Sequence, residues 1–220
     1  MIPRSGDSQV RSKGHSVDRT SFLKALSARL YPILRADGFR GSGSTFRRVV
    51  DPVVHVFNVQ GSSDAEKCYL NLGAHLLFLP KPGGGKPDAK SLKEYECAFR
   101  DRFDPPAGTG FGWSYGRNEN EMQETIAFIC DHWKSYAEAF FDRYSHFPAG
   151  FVSLIESVDV SSVHPIELLT LARIAAHLSD YARAESLASE GLKRCPERAS
   201  GLRAELERLI RSVTKDLTNP

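Results

Sequence analysis

The segment STFRRVVDPVVHVFNVQGSSDAEKCYLNLGAHLL, residues 44–77, decides the fold because apolar and polar side chains alternate along most of it. A period of two is typical of strands that bury one face of a sheet. We therefore predict three strands, at residues 44–50, 53–60 and 68–77. Asp51 and Pro52 predict a turn between the first two, and the short connections predict an antiparallel meander.

Segments with helical spacing flank these strands on both sides. Residues 20–37 carry an apolar stripe, and Gly38 suits the left-handed position just after a helix end. Residues 119–146 repeat apolar side chains with the same spacing, and Asn118 is a suitable N-cap. We expect this second segment to form one long helix that lies across the sheet.

The region between the strands and the long helix is less regular. Residues 94–103 are predicted as a fourth strand, with a short helix as the alternative. Residues 80–90 and 104–117 are loops by composition. GGGKP at 83–87 resembles part of a phosphate-binding loop, but its lysine is followed by proline rather than Ser or Thr, so we interpret it as a surface loop.

The chain after Pro148 is helical in pattern, with segments at 151–158, 165–178, 181–194 and 197–215. We expect a flexible tail at 1–18, an α+β domain at 19–147 and a helical annex at 148–216. The predicted fold class is α+β: an antiparallel sheet of about four strands packed with an N-terminal helix and a long helix, followed by a small all-α annex.

Charge and hydropathy exclude several classes of protein. The 220 residues include 29 Lys and Arg against 27 Asp and Glu, and the excess of +2 lies within residues 1–19. A nucleic-acid partner is therefore not expected, since such proteins usually show a basic domain or patch. No apolar run suits a signal peptide or a membrane helix, so we expect a cytoplasmic protein with no membrane partner.

Signatures of metal binding and catalysis are missing from the sequence. The four cysteines form no C-x-x-C pair, and the seven histidines form no H-E-x-x-H motif. There is no G-x-S-x-G nucleophile elbow. We therefore expect no metal site and no cofactor, and we assign no catalytic residue.

The most informative chemical feature is a set of polar side chains on the predicted strands. The candidate partner-binding residues are Arg47, Asn58, Gln60, Asn71, His75, Arg100, Arg102 and, in the following loop, Trp113. If the strands pair so that these residues converge, they form a surface of amides and guanidinium groups suited to an acidic partner. The alternative is an ordinary solvent face of a half-exposed sheet.

An ordered series of motifs covers residues 20–146. The motifs are L-x-P-x-L-x-x-x-G-F from Leu30 to Phe39, Thr45-Phe46-Arg47-Arg48, Phe57-Asn58-Val59-Gln60, Leu70-Asn71-Leu72-Gly73, and Cys97-x-x-Arg100-x-Arg102. This order resembles the bacterial family called domain of unknown function 4304. The family has no established reaction, so the resemblance implies a fold and no activity. The implied fold is a helix packed on an antiparallel sheet. The context of its members implies an immunity or defence-associated protein.

A second resemblance lies in the C-terminal region. In residues 165–198, Ala172 and Ala175 precede a turn, Tyr181 opens the next helix and Pro196 closes it. This pattern resembles one tetratricopeptide-type helix pair. A single pair cannot bury its own apolar face, so we expect it to pack on the following helix, on the sheet or on another chain.

These observations favour a non-catalytic protein-binding module of a bacterial cytoplasm. The alternative is an enzyme that acts on a small molecule or nucleic acid at the polar sheet face around His75, Arg100 and Arg102. A closed pocket at these residues would favour the enzyme. An open surface with flanking aromatic residues would favour a protein partner.

Overall fold

The computed structural model describes residues 17–108 and 110–218, and it shows an antiparallel sheet packed with helices. The predicted tail lies outside the described residues as far as residue 16. The strands are β1 (Arg40–Ser42), β2 (Thr45–Val50), β3 (Val53–Gly61), β4 (Lys67–Leu76), β5 (Phe99–Phe103) and β6 (Trp113–Ser114). The helices are α1 (Arg19–Ala36), α2 (Glu119–Trp133), α3 (Ala139–Arg143), α4 (Ala149–Ser157), α5 (Pro165–His177), α6 (Tyr181–Arg194) and α7 (Ser200–Thr218).

The sheet has the strand order β1-β2-β3-β4-β5, and all neighbours are antiparallel. The short strand β6 pairs with the start of β4. The α+β class and the predicted meander of β2, β3 and β4 are thus confirmed, with β1 and β6 as short additions. Thr45, Asn58, Asn71 and Arg102 are aligned across four strands.

The segment predicted as a fourth strand over residues 94–103 contains two elements. Its first three residues form a 3₁₀ turn, and only its last five form β5. The turn is stabilised because the backbone N–H of Lys93 donates to the Glu96 carboxylate at 2.8 Å. Tyr95, which strict alternation would bury, is therefore exposed.

The helix predicted as one element over residues 119–146 is divided by a π-helical segment, Lys134–Glu138. Asn118 caps its start as predicted, since its side chain accepts from the N–H of Glu121 at 3.0 Å. The π segment brings Tyr136 to the outer edge of β5, where its hydroxyl donates to the Arg102 carbonyl at 2.9 Å.

The main core lies between the sheet and the layer formed by α1, α2 and the π segment. Trp133 is fully buried at its centre, and its ring meets the Phe57 ring edge-on with centroids 5.1 Å apart. The indole N–H donates to the Asp37 carboxylate at 2.8 Å, just after α1 ends. This contact joins the two helices and the sheet, and it satisfies the polar atom of a buried indole.

A second core joins one end of the sheet to the C-terminal helices. Val53, Leu76 and Phe99 of the sheet share this cluster with residues of α4 to α7. Of the three packing partners expected for the helix pair α5–α6, the following helix α7 is observed, and the pair shares this buried cluster with the sheet residues. Among the described helices, none has the length and apolar character that crossing a membrane requires.

One buried histidine lies on the helix-covered face of the sheet. His55 accepts at Nδ1 from Arg48 Nε at 3.1 Å, and its Nε2–H donates to the Tyr144 carbonyl at 3.2 Å. Because an arginine N–H can only donate, this pair of bonds fixes the neutral Nε2–H form of the ring. Burial, with the Arg48 charge, lowers the pKa of His55 to about 4.

The protein should lose stability as the pH falls from 6.5 to about 4. In this window the unfolded chain protonates His55 while the folded chain keeps it neutral, so the free energy of unfolding falls by about 3 kcal/mol. Urea denaturation at a series of pH values measures this fall. His55→Gln should make the profile less steep and His146→Gln, an exposed control, should not; equal slopes in the wild type and His55→Gln would contradict the assignment.

Candidate functional site

The pairing register places the polar strand residues on one face of the sheet. Residues paired directly in an antiparallel sheet project to the same side, and alternate residues along a strand share that side. The residues on this polar face are Arg47, Asn58, Gln60, Tyr69, Asn71, His75, Arg100 and Arg102. Seven of the eight candidate residues therefore lie on the same face of the sheet, which the sequence alone could not decide.

Trp113 is the candidate that does not join them. It pairs with Cys68, projects into the main core and is only 4% exposed. Its indole N–H donates to the Phe103 carbonyl at 2.6 Å. These contacts give Trp113 a structural role and leave it no surface for a partner, which corrects the prediction.

Residues 77–98, here called the covering segment, cross one half of the polar face. Leu92 and Cys97 of this segment pack with Val54 and Val56 of β3. Gly73 of β4 permits the approach, because a Cβ there would lie 2.8 Å from the Cys97 sulfur. A side chain at this position would force the covering segment away from the sheet.

Two arginines of the polar face hold the covering segment in place. Arg47 donates from Nε to the Leu92 carbonyl at 2.6 Å. Arg100 Nε lies 2.7 Å from the carboxylate of Glu94, whose side chain is 7% exposed. Removing either arginine would leave a buried acceptor without its donor, so both guanidinium groups are committed to the fold.

His75 holds the same segment at its two ends. Its Nε2–H donates to the Leu79 carbonyl at 3.2 Å, and its Nδ1 accepts from the Ala98 N–H at 3.1 Å. The ring is 1% exposed, and burial lowers its pKa. A general base needs a lone pair within reach of substrate, and both nitrogens of His75 are engaged by backbone.

The other half of the polar face is not covered, and we call it the open half: Asn58, Gln60, Tyr69, Asn71 and Arg102. The Arg102 guanidinium lies 4.5 Å from the Tyr69 ring centroid, and its Nε donates to Asn71 Oδ1 at 3.2 Å. Asn71 Nδ2 donates in turn to Gln60 Oε1 at 3.1 Å. Gln60 is exposed and Arg102 is half-buried, so the chain of hydrogen bonds ends at the protein surface.

The open half reaches the surface at the exposed side chain of Gln60. Two cavities within the described residues lie elsewhere, one along α7 and one beside the C-terminal end of β5. Within residues 17–108 and 110–218, no three His, Cys, Asp or Glu side chains are grouped so that they could hold a metal ion. The arrangement can recognise a partner through hydrogen bonds and one guanidinium group.

Two residues that orient or neutralise arginines of this face were not among the candidate residues of the sequence analysis. Tyr69 orients Arg102, and Glu94 neutralises Arg100. Alternation placed Tyr69 on the same side of its strand as Asn71, which was the available signal for the first. Glu94 lies in a 3₁₀ turn that the strand prediction did not contain, so the sequence offered no signal for its pairing.

Comparison with known proteins gives one match. The family described as Domain of unknown function (DUF4304) matches residues 30–143, which is more than half of the chain. No curated protein and no solved structure matches the chain. The family match ends before the C-terminal helices, so the tetratricopeptide-type interpretation of residues 165–198 stays a prediction.

Arg47→Ala should loosen the covering segment without unfolding the sheet. The change removes the donors to the Ser91 and Leu92 carbonyls, so we expect the free energy of unfolding to fall by about 1–2 kcal/mol. Amide hydrogen exchange should speed up within residues 77–98 and stay unchanged in α7. Arg29→Ala, on the exposed side of α1, is the matched control; unchanged exchange in Arg47→Ala would show that other contacts hold the segment.

Proposed function

We propose that this chain, which belongs to the family Domain of unknown function (DUF4304), is a non-catalytic module that binds a protein partner through the open half of its polar sheet face. The observation that carries the proposal is the hydrogen-bonded series Arg102–Asn71–Gln60, which reaches the surface and lines neither the cavity along α7 nor the one beside β5. A broad and open polar surface suits a macromolecular partner better than a small substrate.

The chemistry of the open half supports an acidic contact on the partner. Arg102 is held on two sides, by the Tyr69 ring and by the Asn71 amide. A guanidinium that is already oriented loses less conformational entropy when it meets a carboxylate, and it can do so with two parallel hydrogen bonds. Arginine and tyrosine are also the residue types that contribute most to the affinity of protein interfaces.

The surroundings of the three residues named in the enzyme alternative support a binding role instead. His75 is buried and bonded at both nitrogens, and Arg100, whose side chain is 51% exposed, pairs with Glu94 of the covering segment. Arg102 belongs to the open half instead. The three residues therefore divide between two surroundings, and no observation favours a reaction at this face.

Two finer parts of the proposal concern the C-terminal helices and the biological setting. The pair α5–α6 packs on α7, and Ile166 of α5 remains 54% exposed, which supports a further contact of the tetratricopeptide type. The expectation of an immunity or defence-associated role in the bacterial cytoplasm rests on the resemblance of the family's members in size and context.

Gln60→Ala and Arg102→Ala should each weaken capture of a protein partner by the tagged chain from its native lysate. We expect roughly a tenfold loss, since truncation of a central interface side chain typically costs more than 1 kcal/mol. Quantitative mass spectrometry of the captured protein gives the measurement, and a cooperative thermal unfolding transition well above the assay temperature confirms that the variants are folded.

The matched controls are Gln123→Ala and Arg29→Ala, which remove the same side-chain types from α2 and α1. These controls should retain the partner. A partner held equally by both open-half variants would refute the proposed surface. Recovery of small molecules or nucleic acid in place of a protein would refute the proposed function.

A further inference from the structure

A cleft of about 310 Å³ lies beside the C-terminal end of β5, between the loop that follows this strand and the junction of α2 with the π segment. We call it the aromatic cleft and define it by Phe103, Asp104, Phe128, His132 and Tyr136. Its volume is at the lower limit of ligand pockets, so it suits one side chain rather than an element of secondary structure.

Two stacked pairs of rings form the walls of the aromatic cleft. Tyr136 stacks on Phe103 with centroids 4.9 Å apart and planes at 17°, and His132 stacks on Phe128 at 3.8 Å and 12°. The His132 Nδ1–H donates to the Phe128 carbonyl at 2.9 Å, which keeps the lone pair of the neutral ring on Nε2. The rings are thus oriented before any ligand arrives.

The aromatic cleft is also acidic. Asp104 lines it, and the Tyr136 pKa is raised by burial and then by the negative charges of Asp101 and Asp104. A carboxylate beside aromatic rings attracts a cation, through charge and through the negative faces of the rings. A guanidinium satisfies both kinds of contact because it is planar, stacks on aromatic faces and binds carboxylate oxygens in pairs.

The loop that carries Asp104 also presents an exposed aromatic side chain. Phe111 is 76% exposed, and it stands between Gly110 and Gly112, both at positive φ. The Gly112 N–H donates to Asp104 Oδ1 at 3.3 Å, which ties the Phe111 end of the loop to the cleft. An aromatic anchor next to a small cleft is typical of the energetic centre of a protein interface.

One residue, Arg102, contacts both the open half and a wall of the aromatic cleft. The Arg102 side chain lies in the open half, while its carbonyl accepts the Tyr136 hydroxyl at the cleft wall. A partner that contacts Arg102 therefore lies within reach of the cleft around the edge of β5.

We propose that the aromatic cleft binds an arginine side chain of a protein partner, with Phe111 as the neighbouring hydrophobic anchor. This inference rests on the proposed function only in assigning the arginine to a protein partner. The guanidinium lies between the ring walls and pairs with Asp104, and His132 Nε2 supplies a further acceptor.

The test uses two small probes on the isotope-labelled full chain. N-acetyl-arginine amide carries the guanidinium, and N-acetyl-citrulline amide replaces it with a neutral urea of nearly the same shape. We expect the arginine probe to shift the amide resonances of Asp104, Phe128 and Tyr136 in a saturable manner, and the citrulline probe to bind roughly tenfold more weakly or not at all.

Asp104→Asn sharpens the test because Asn keeps an acceptor for the Gly112 N–H and removes only the charge. It should weaken binding of the arginine probe roughly tenfold, whereas Asp142→Asn on α3 should not change it. Tyr136→Ala should weaken binding by removing a wall, and Tyr136→Phe should retain it. Equal binding of the two probes, or no effect of Asp104→Asn, would overturn the inference.

The two proposals fail separately. A cleft that ignores the arginine probe, in a chain that still captures a partner through Gln60 and Arg102, would overturn the cleft assignment alone. Specific binding of the arginine probe by a chain that captures no protein would overturn the proposed function and leave the guanidinium site standing.

Discussion

The pairing of β3 with β4 is the constraint on which the other features of the sheet depend. It runs without a bulge from Val53 opposite Leu76 to Gly61 opposite Cys68. Because side chains alternate between faces, a slip of one residue here would turn Asn71 into the core and Leu72 outward. β2 pairs with β3 and β5 pairs with β4, so this register also sets the side of the sheet to which their side chains project. The polar face and the main core both depend on it.

The sequence predicted the elements of the fold better than the contacts between them. Period-two alternation located β2, β3 and β4, and helical spacing located α1 and α5 to α7. The convergence of Asn58, Asn71 and Arg102 could not be predicted, since it depends on a register that turns and core packing set together. Apolar spacing did not predict the π segment, and it left the 3₁₀ turn as the short-helix alternative to a strand over residues 94–103, because the hydrogen-bond pattern of such short elements leaves no apolar periodicity.

The sequence analysis did not predict that the covering segment packs on the sheet. The reason is the composition of its first half. Residues 80–90 are rich in Gly, Pro and Lys, which is typical of a solvated loop. The available signal was Gly73 within a strand, because glycine there often marks a close approach of another chain segment. The three arginines on this face therefore have different contacts. Arg47 and Arg100 bind the covering segment, and Arg102 lies over the Tyr69 ring in the open half.

The position of the covering segment in the chain also bears on how the molecule folds. It separates β4 from β5, so their pairing requires closure of a loop that spans residues 77–98, whereas β3 follows β2 directly. The entropy of that closure is offset once Leu92, Cys97 and the His75 hydrogen bonds have formed. We therefore expect the meander of β2, β3 and β4 to form first and β5 to pair with β4 late in folding. The open half, which needs Arg102 of β5, is then completed in the last step.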